Sequence, residues 1–92
     1  MSEYIRNNKN INGRLHDELI MMDIERGKYF SLNQVATRIW DLLEESKGID
    51  ELCKTLMEEY EVDLEQSSRE VEEYLNEMIK LGLVIRIPSL LL

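Results

Sequence analysis

Cys53 is the only thiol of the chain and His16 its only imidazole, and neither stands where it could do chemistry. Cys53 sits among Leu52, Leu56 and Met57 on one helical face. No basic neighbour there would lower a thiol pKa, so the expected role is a small buried hydrophobe. His16 lies beside Asp17 in a turn ahead of a hairpin, with no second ligand or nucleophile, and reads as a surface or capping histidine. One Cys and one His exclude a disulfide framework, a multi-cysteine zinc or iron–sulfur site and a histidine-cluster metal centre. The pairs Glu58–Glu59 and Glu72–Glu73 have the residue type for acid–base work. Neighbouring helical residues project in different directions, so these read as solvated faces. The sequence contains no Gly-rich phosphate loop, HExxH or GxSxG. This inventory speaks against an enzyme, and no cofactor or metal is expected.

The elements that position these residues fit in 92 residues, 43% of them hydrophobic, which suits one domain over 1–92 with a single modest core. The formal charge is −8. Residues 1–46 hold six basic and eight acidic groups, and residues 47–92 hold five basic and eleven acidic ones. A nucleic-acid binder gains most of its affinity from Lys and Arg on phosphates. This field is of the opposite sign: it draws cationic peptides and repels nucleic acid and acidic membranes. Residues 1–12 are polar and lack a signal-peptide apolar stretch. Apolar runs such as Leu19 to Met22 are far too short for a membrane span. With no disulfide framework, a cytoplasmic location is expected.

The first third has strand periodicity. Asn10 to Gly13 is rich in turn residues. From Glu18 to Ile24, Ile20, Met22 and Ile24 lie on one face, with Leu19 and Met21 on the other, as in a strand covered on both faces or half covered on one. Gly27 supplies the positive φ of a reversal, and Lys28 to Leu32 alternate again, which predicts a hairpin of 18–24 with 28–32. Residues 3–6 or 11–15 are candidates for a further strand. The period then becomes 3.6. Asn33 can cap a helix whose stripe is Val35/Ala36, Ile39/Trp40 and Leu42/Leu43, and Gly48 can end it. Asp50 can cap a second helix with Leu52/Cys53, Leu56/Met57 and Tyr60 inward. A third helix starts at Asp63 (with Gln66) or Ser67 (with Glu70), both at capping-box spacing. Its stripe is Val71, Tyr74/Leu75, Met78/Ile79 and Leu81, and Gly82 stops it. Leu83 to Ile87 can form a last strand before Pro88. This order predicts a winged-helix-like α+β domain, a small antiparallel sheet of about three strands followed by three helices.

A winged-helix regulator would read DNA with residues 64–81, but those carry Arg69 and Lys80 against five glutamates. Peptide binding fits better. If strand 28–32 lies at a sheet edge, its free N–H and C=O groups can take an extended peptide as a further strand. The third helix would be the opposite wall, since Tyr74 and Leu81 widen its apolar face beyond the core stripe. Phe30, Leu32, Val71 and Leu75 are expected in the core, whereas Tyr29, Tyr74 and Met78 fit core and groove equally well.

The run Asp23–Ile24–Glu25–Arg26–Gly27–Lys28–Tyr29–Phe30–Ser31–Leu32–Asn33, then Ala36 and Ile39–Trp40–Asp41–Leu42–Leu43, resembles the PqqD-like family. Tyr60–Glu61–Val62–Asp63 and the closing Leu75 and Leu81–Gly82–Leu83 extend the resemblance over about residues 14–85. The resemblance implies a precursor-peptide recognition domain, or RiPP recognition element, that binds the leader of a ribosomally made peptide. It implies leader pairing along Lys28, Tyr29, Phe30, Ser31 and Leu32, with Glu70, Tyr74, Glu77, Met78 and Leu81 on the helix wall. A free-standing chain with these motifs is most similar to the lasso-peptide members, whose partner is a separate leader peptidase. The alternative is the PQQ subgroup, which partners a radical SAM enzyme. The tail from Ile87 to Leu92 has no counterpart in the family pattern.

Overall fold

A computed structural model describes residues 2–7, 11–15, 18–23 and 26–88. The period-2 stretches form the predicted hairpin, β3 (Glu18–Asp23) with β4 (Lys28–Leu32), paired antiparallel from Leu19↔Leu32 to Asp23↔Lys28. Leu19 and Met21 are buried while Ile20 and Met22 are half covered, so β3 has one dry face and one partly wet one. Gly27 takes φ +64 in the reversal. Ile24 and Glu25 lie outside the described residues.

Both candidate stretches for a further strand are strands, and they belong to different sheets. β2 (Ile11–Leu15) pairs with β3, giving a three-stranded sheet in the order β2-β3-β4. Residues 11–13 are therefore strand rather than the turn their composition suggested, because the second edge of β3 offers them pairing partners. β1 (Ser2–Arg6) instead pairs with β5 (Val84–Pro88) as a two-stranded sheet, from Ser2↔Pro88 to Arg6↔Val84. Tyr4 also exchanges backbone hydrogen bonds with Lys47, at 2.8 and 2.9 Å.

α1 (Gln34–Leu42) starts as predicted: the Ala36 N–H donates to Asn33 Oδ1 at 2.9 Å. It ends at Leu42, well before Gly48. The Leu43 N–H is shared between the carbonyls of Ile39 and Trp40, and the Leu43 carbonyl accepts from the Arg6 N–H of β1 at 3.1 Å. That contact turns the chain away from helix. Gly48 is instead the extended residue before α2 (Ile49–Tyr60), and Asp50 stands with Glu51 inside its first turn. There the helix dipole favours acids without a side-chain cap. α3 (Leu64–Lys80) takes the earlier of its two candidate starts, with the Gln66 N–H donating to Asp63 Oδ1 at 2.8 Å. Ser67, the other candidate, is buried and its hydroxyl donates to the Cys53 carbonyl at 3.4 Å. Gly82, at φ +76, follows α3, and the Leu83 N–H returns to the Met78 carbonyl at 2.8 Å.

One core joins the three-stranded sheet to the helices. Trp40, Ile39 and Leu43 of the first helical segment meet Leu52 and Leu56 of α2, Val71, Leu75 and Met78 of α3, and Leu19 and Met21 of β3. Each such side chain contributes about 1.5–3 kcal/mol by burial. Cys53 is buried here, as its helical position predicted. Arg6 lays its guanidinium over the Trp40 ring, 5.3 Å from the centroid. Thr37 is a buried polar side chain beneath the sheet: its Oγ1 accepts from the Leu19 N–H and donates to the Leu32 carbonyl, both at 3.0 Å. The result is an α+β domain of winged-helix-like order with two small antiparallel sheets.

Candidate functional site

β4 is bonded to β3 on one side and to no described strand on the other. Its direction-alternating backbone can be assigned from the Thr37 bridge. The Leu32 carbonyl faces β3, since it shares the Thr37 hydroxyl with the Leu19 N–H. Strand alternation then turns the backbone groups of Lys28 and Phe30 toward β3 as well, and those of Tyr29 and Ser31 toward the open edge. An edge strand with two outward-facing residues is a template for a short extended peptide.

Across from this edge, α3 and its C-cap Leu81 present Tyr74, Glu77, Met78 and Leu81 at spacings of three, one and three, which places them on one helical face. Between α3 and β4 runs an open groove of about 370 Å³. Its walls are Tyr29, Phe30, Ser31 and Leu32 on the strand side and Tyr74, Glu77, Met78 and Leu81 on the helix side. Tyr29 is 70% exposed, whereas Met78 is 1% exposed and floors the groove while belonging to the core. Core and groove therefore share Leu32, Ala36 and Met78, Phe30 is partly buried against the core and lines the groove, and Val71 and Leu75 are core alone.

Eight of the ten residues expected at the site line this groove. Lys28 and Glu70 do not. Lys28 pairs with Asp23 at the hairpin end of β4. Glu70 lines a separate cavity with Val35, Leu56 and Tyr60, and accepts a hydrogen bond from Gln66 Nε2 at 3.2 Å. Two lining residues were not anticipated, Asn33 and Ala36. Asn33 reads from sequence as a helix cap, and that role uses only Oδ1. Its Nδ2 donates to the Tyr74 hydroxyl at 2.8 Å and ties the start of α1 to α3 at one end of the groove. A capping Asn keeps a spare amide donor where an ionised Asp has none, and that is the signal that could have shown it.

Chemically, the groove offers outward backbone donors and acceptors, an apolar floor, three hydroxyl side chains and the Glu77 carboxylate. No group of three or more His, Cys, Asp or Glu that could hold a metal ion occurs among the described residues. The described ion pairs lie elsewhere, Arg14 with Asp41 and Arg38 with Glu59. Hydrogen bonds from Arg38 hold the Glu59 carboxyl below the usual carboxylate range. No helix among the described residues is long and apolar enough to cross a membrane. His16, and the tail beyond Pro88, lie outside the described residues.

Comparison with curated protein sequences finds no match. Among solved structures, the chain is similar to "TbiB1 in Complex with the TbiA(beta) Leader Peptide", at 29% identity and a TM-score of 0.77, over 87% of this chain and 93% of that one. It shares its fold with "Lasso peptide synthetase B1 complexed with the leader peptide", at 18% identity and a TM-score of 0.78, over 89% and 96% of the two chains. The family model described as Coenzyme PQQ synthesis protein D (PqqD) matches residues 18–84, from the start of β3 to the start of β5. Hairpin, three helices and groove all fall within that span, and the chain belongs to the PqqD family.

Proposed function

We propose that this chain binds the leader region of a ribosomally synthesised precursor peptide as an added strand on β4, and delivers it to a separate leader peptidase in lasso-peptide biosynthesis. The observation that carries the reading is the edge of β4 with no described strand beside it, facing Tyr74, Met78 and Leu81 across the groove. Main-chain hydrogen bonds to Tyr29 and Ser31 would set register, and the groove would select alternate leader side chains. The similar structure of TbiB1 is a complex with a leader peptide, which supports the same ligand class here. The role is that of a non-catalytic adaptor: the groove carries recognition groups, and the bond-breaking chemistry belongs to the partner enzyme.

The description of the matched family favours a second reading, a peptide chaperone for the radical SAM enzyme of PQQ synthesis. Both readings share the leader and differ in the enzyme. The test is calorimetric titration of the chain with the leader of the precursor encoded beside it, followed by pull-down of the neighbouring peptidase or radical SAM enzyme. Binding tighter than about 1 mM is expected, and its absence refutes the reading. DNA is not the expected ligand, because α3 carries Arg69 and Lys80 against five glutamates. A gel shift with the chain's own promoter at low salt should show no complex.

A further inference from the structure

Beyond the Asn33–Tyr74 hydrogen bond lies the second cavity, about 230 Å³, between the N-terminal turns of α1 and α3 and the C-terminal turn of α2. Its wall is mostly apolar: Val35, Leu56, Tyr60 and Val62. The carboxylate of Glu70 stands at one side, half-buried, with the Gln66 amide as its hydrogen-bond donor. Among the described residues no cation lies within ion-pairing distance of it. Tyr60 and Val62 flank Glu61, which adopts φ +51, a left-handed conformation uncommon for a non-glycine residue. The backbone therefore holds a strained residue between two side chains that face this cavity.

We propose that this cavity is a subsite for one lysine or arginine side chain of the leader, its aliphatic stem along Val35, Leu56 and Tyr60 and its cationic head on Glu70. The inference rests on the leader-binding reading above and adds a specific residue class to it. Three features favour this occupant. The cavity takes one long side chain and has no strand edge to take a backbone. A purely apolar occupant would strip water from Glu70 without replacing it, whereas a cation pairs with it. Finally, the cavity lies one helical turn along α3 from the groove: Glu70 precedes Tyr74 by four residues, about 6 Å along the axis. An extended leader covers that distance in about two residues, so the basic residue lies about two positions beyond the last one opposite the Asn33 end of β4.

The experiment is a double-mutant cycle read by calorimetry. The synthetic leader of the neighbouring precursor is titrated into the wild-type chain and into Glu70→Gln. The titrations are repeated with leaders in which each Lys is replaced singly by norleucine and each Arg by citrulline, which keep the stem and remove the charge. One position should lose about tenfold in affinity against the wild-type chain, the scale of one hydrogen bond to a charged group. That position should lose nothing further against Glu70→Gln. Glu77→Gln, inside the groove, should not abolish the effect of that replacement. If the leader binds but no position couples to Glu70, or if the uncharged replacement binds more tightly, the subsite assignment is overturned while strand addition stands. If neither protein binds the unmodified leader, the leader-binding reading itself has failed, and this inference with it.

Discussion

Replacing Thr37 with valine should cost the domain more than any other single-atom change near β4. The Thr37 side chain is 3% exposed, and its hydroxyl stands between two backbone groups, accepting from the Leu19 N–H and donating to the Leu32 carbonyl at 3.0 Å each. Leu19 and Leu32 are register partners, and the hydroxyl bonds to one backbone group of each. Valine has nearly the same shape and neither donates nor accepts. Thr37→Val therefore leaves one buried N–H and one buried C=O unsatisfied, at about 1–3 kcal/mol each. The added methyl returns under about 1 kcal/mol, so the net loss is about 1–6 kcal/mol, with about 2–4 kcal/mol at the middle of that range. A chain of this length has roughly 5–14 kcal/mol of total stability, and the urea midpoint should fall by about 1–2 M at an ordinary slope. Thr37→Ser keeps the hydroxyl and loses one methyl, about 1 kcal/mol. Urea unfolding of the three proteins, followed by circular dichroism, decides the matter. If Thr37→Val lies within about 0.5 kcal/mol of the wild type, the strands have closed onto each other, and the bridge that orients β4 is not structural.

Ser31→Pro removes an outward N–H from an edge strand that tolerates proline, so leader affinity should fall about fivefold or more with an unchanged far-UV spectrum. Equal binding by Ser31→Pro and Tyr29→Pro to that of the wild type would place the leader elsewhere. Asn33→Ala loses both the cap on Ala36 and the link to Tyr74 and should destabilise by about 1–2 kcal/mol. Tyr74→Phe loses the link alone and should cost under about 1 kcal/mol, and equal costs in a thermal melt would contradict the separate roles. Glu59 has a folded pKa below its ordinary value, so its pairing with Arg38 stabilises the protein above the ordinary carboxylate pKa and is lost as pH falls through the lower folded value. Glu59→Gln should therefore cost under about 1 kcal/mol at neutral pH, given the exposure of the pair, and nothing once the carboxylate is protonated. A difference that persists in acid would show another cause.

The hairpin and the three helices could be read from sequence because their signals are local. Leu19 and Met21 alternate with Ile20 and Met22 within four residues, and each helical stripe repeats within two turns. What could not be read depended on distant partners. Gly48 has the composition of a helix stop, but α1 is ended by Arg6, which bonds the Leu43 carbonyl from a strand at the other end of the chain. Asn12 and Gly13 suggest a turn, but the open side of β3 makes them strand. The partner of β1 is about 80 residues away, and no periodicity links Tyr4 to Arg86.

The same distinction separates the parts of the site. Alternation shows that Tyr29 and Ser31 share a face; only the strand order shows that their backbone turns away from β3 toward no described strand. The acidic character of α3 thins out in the same way once the helix is placed. Of its five glutamates, Glu77 alone lines the groove, Glu70 lines the adjoining cavity, and Glu65, Glu72 and Glu73 are exposed away from both. Exposed acids at that distance act on a cationic leader through a field that salt screens within about 8–10 Å. They speed its approach and contribute little to its residence. On the proposed reading, affinity then comes from the backbone of β4 and the apolar floor around Met78, with charge specificity left to Glu77 and Glu70. Raising the salt concentration should accordingly slow association far more than it speeds dissociation.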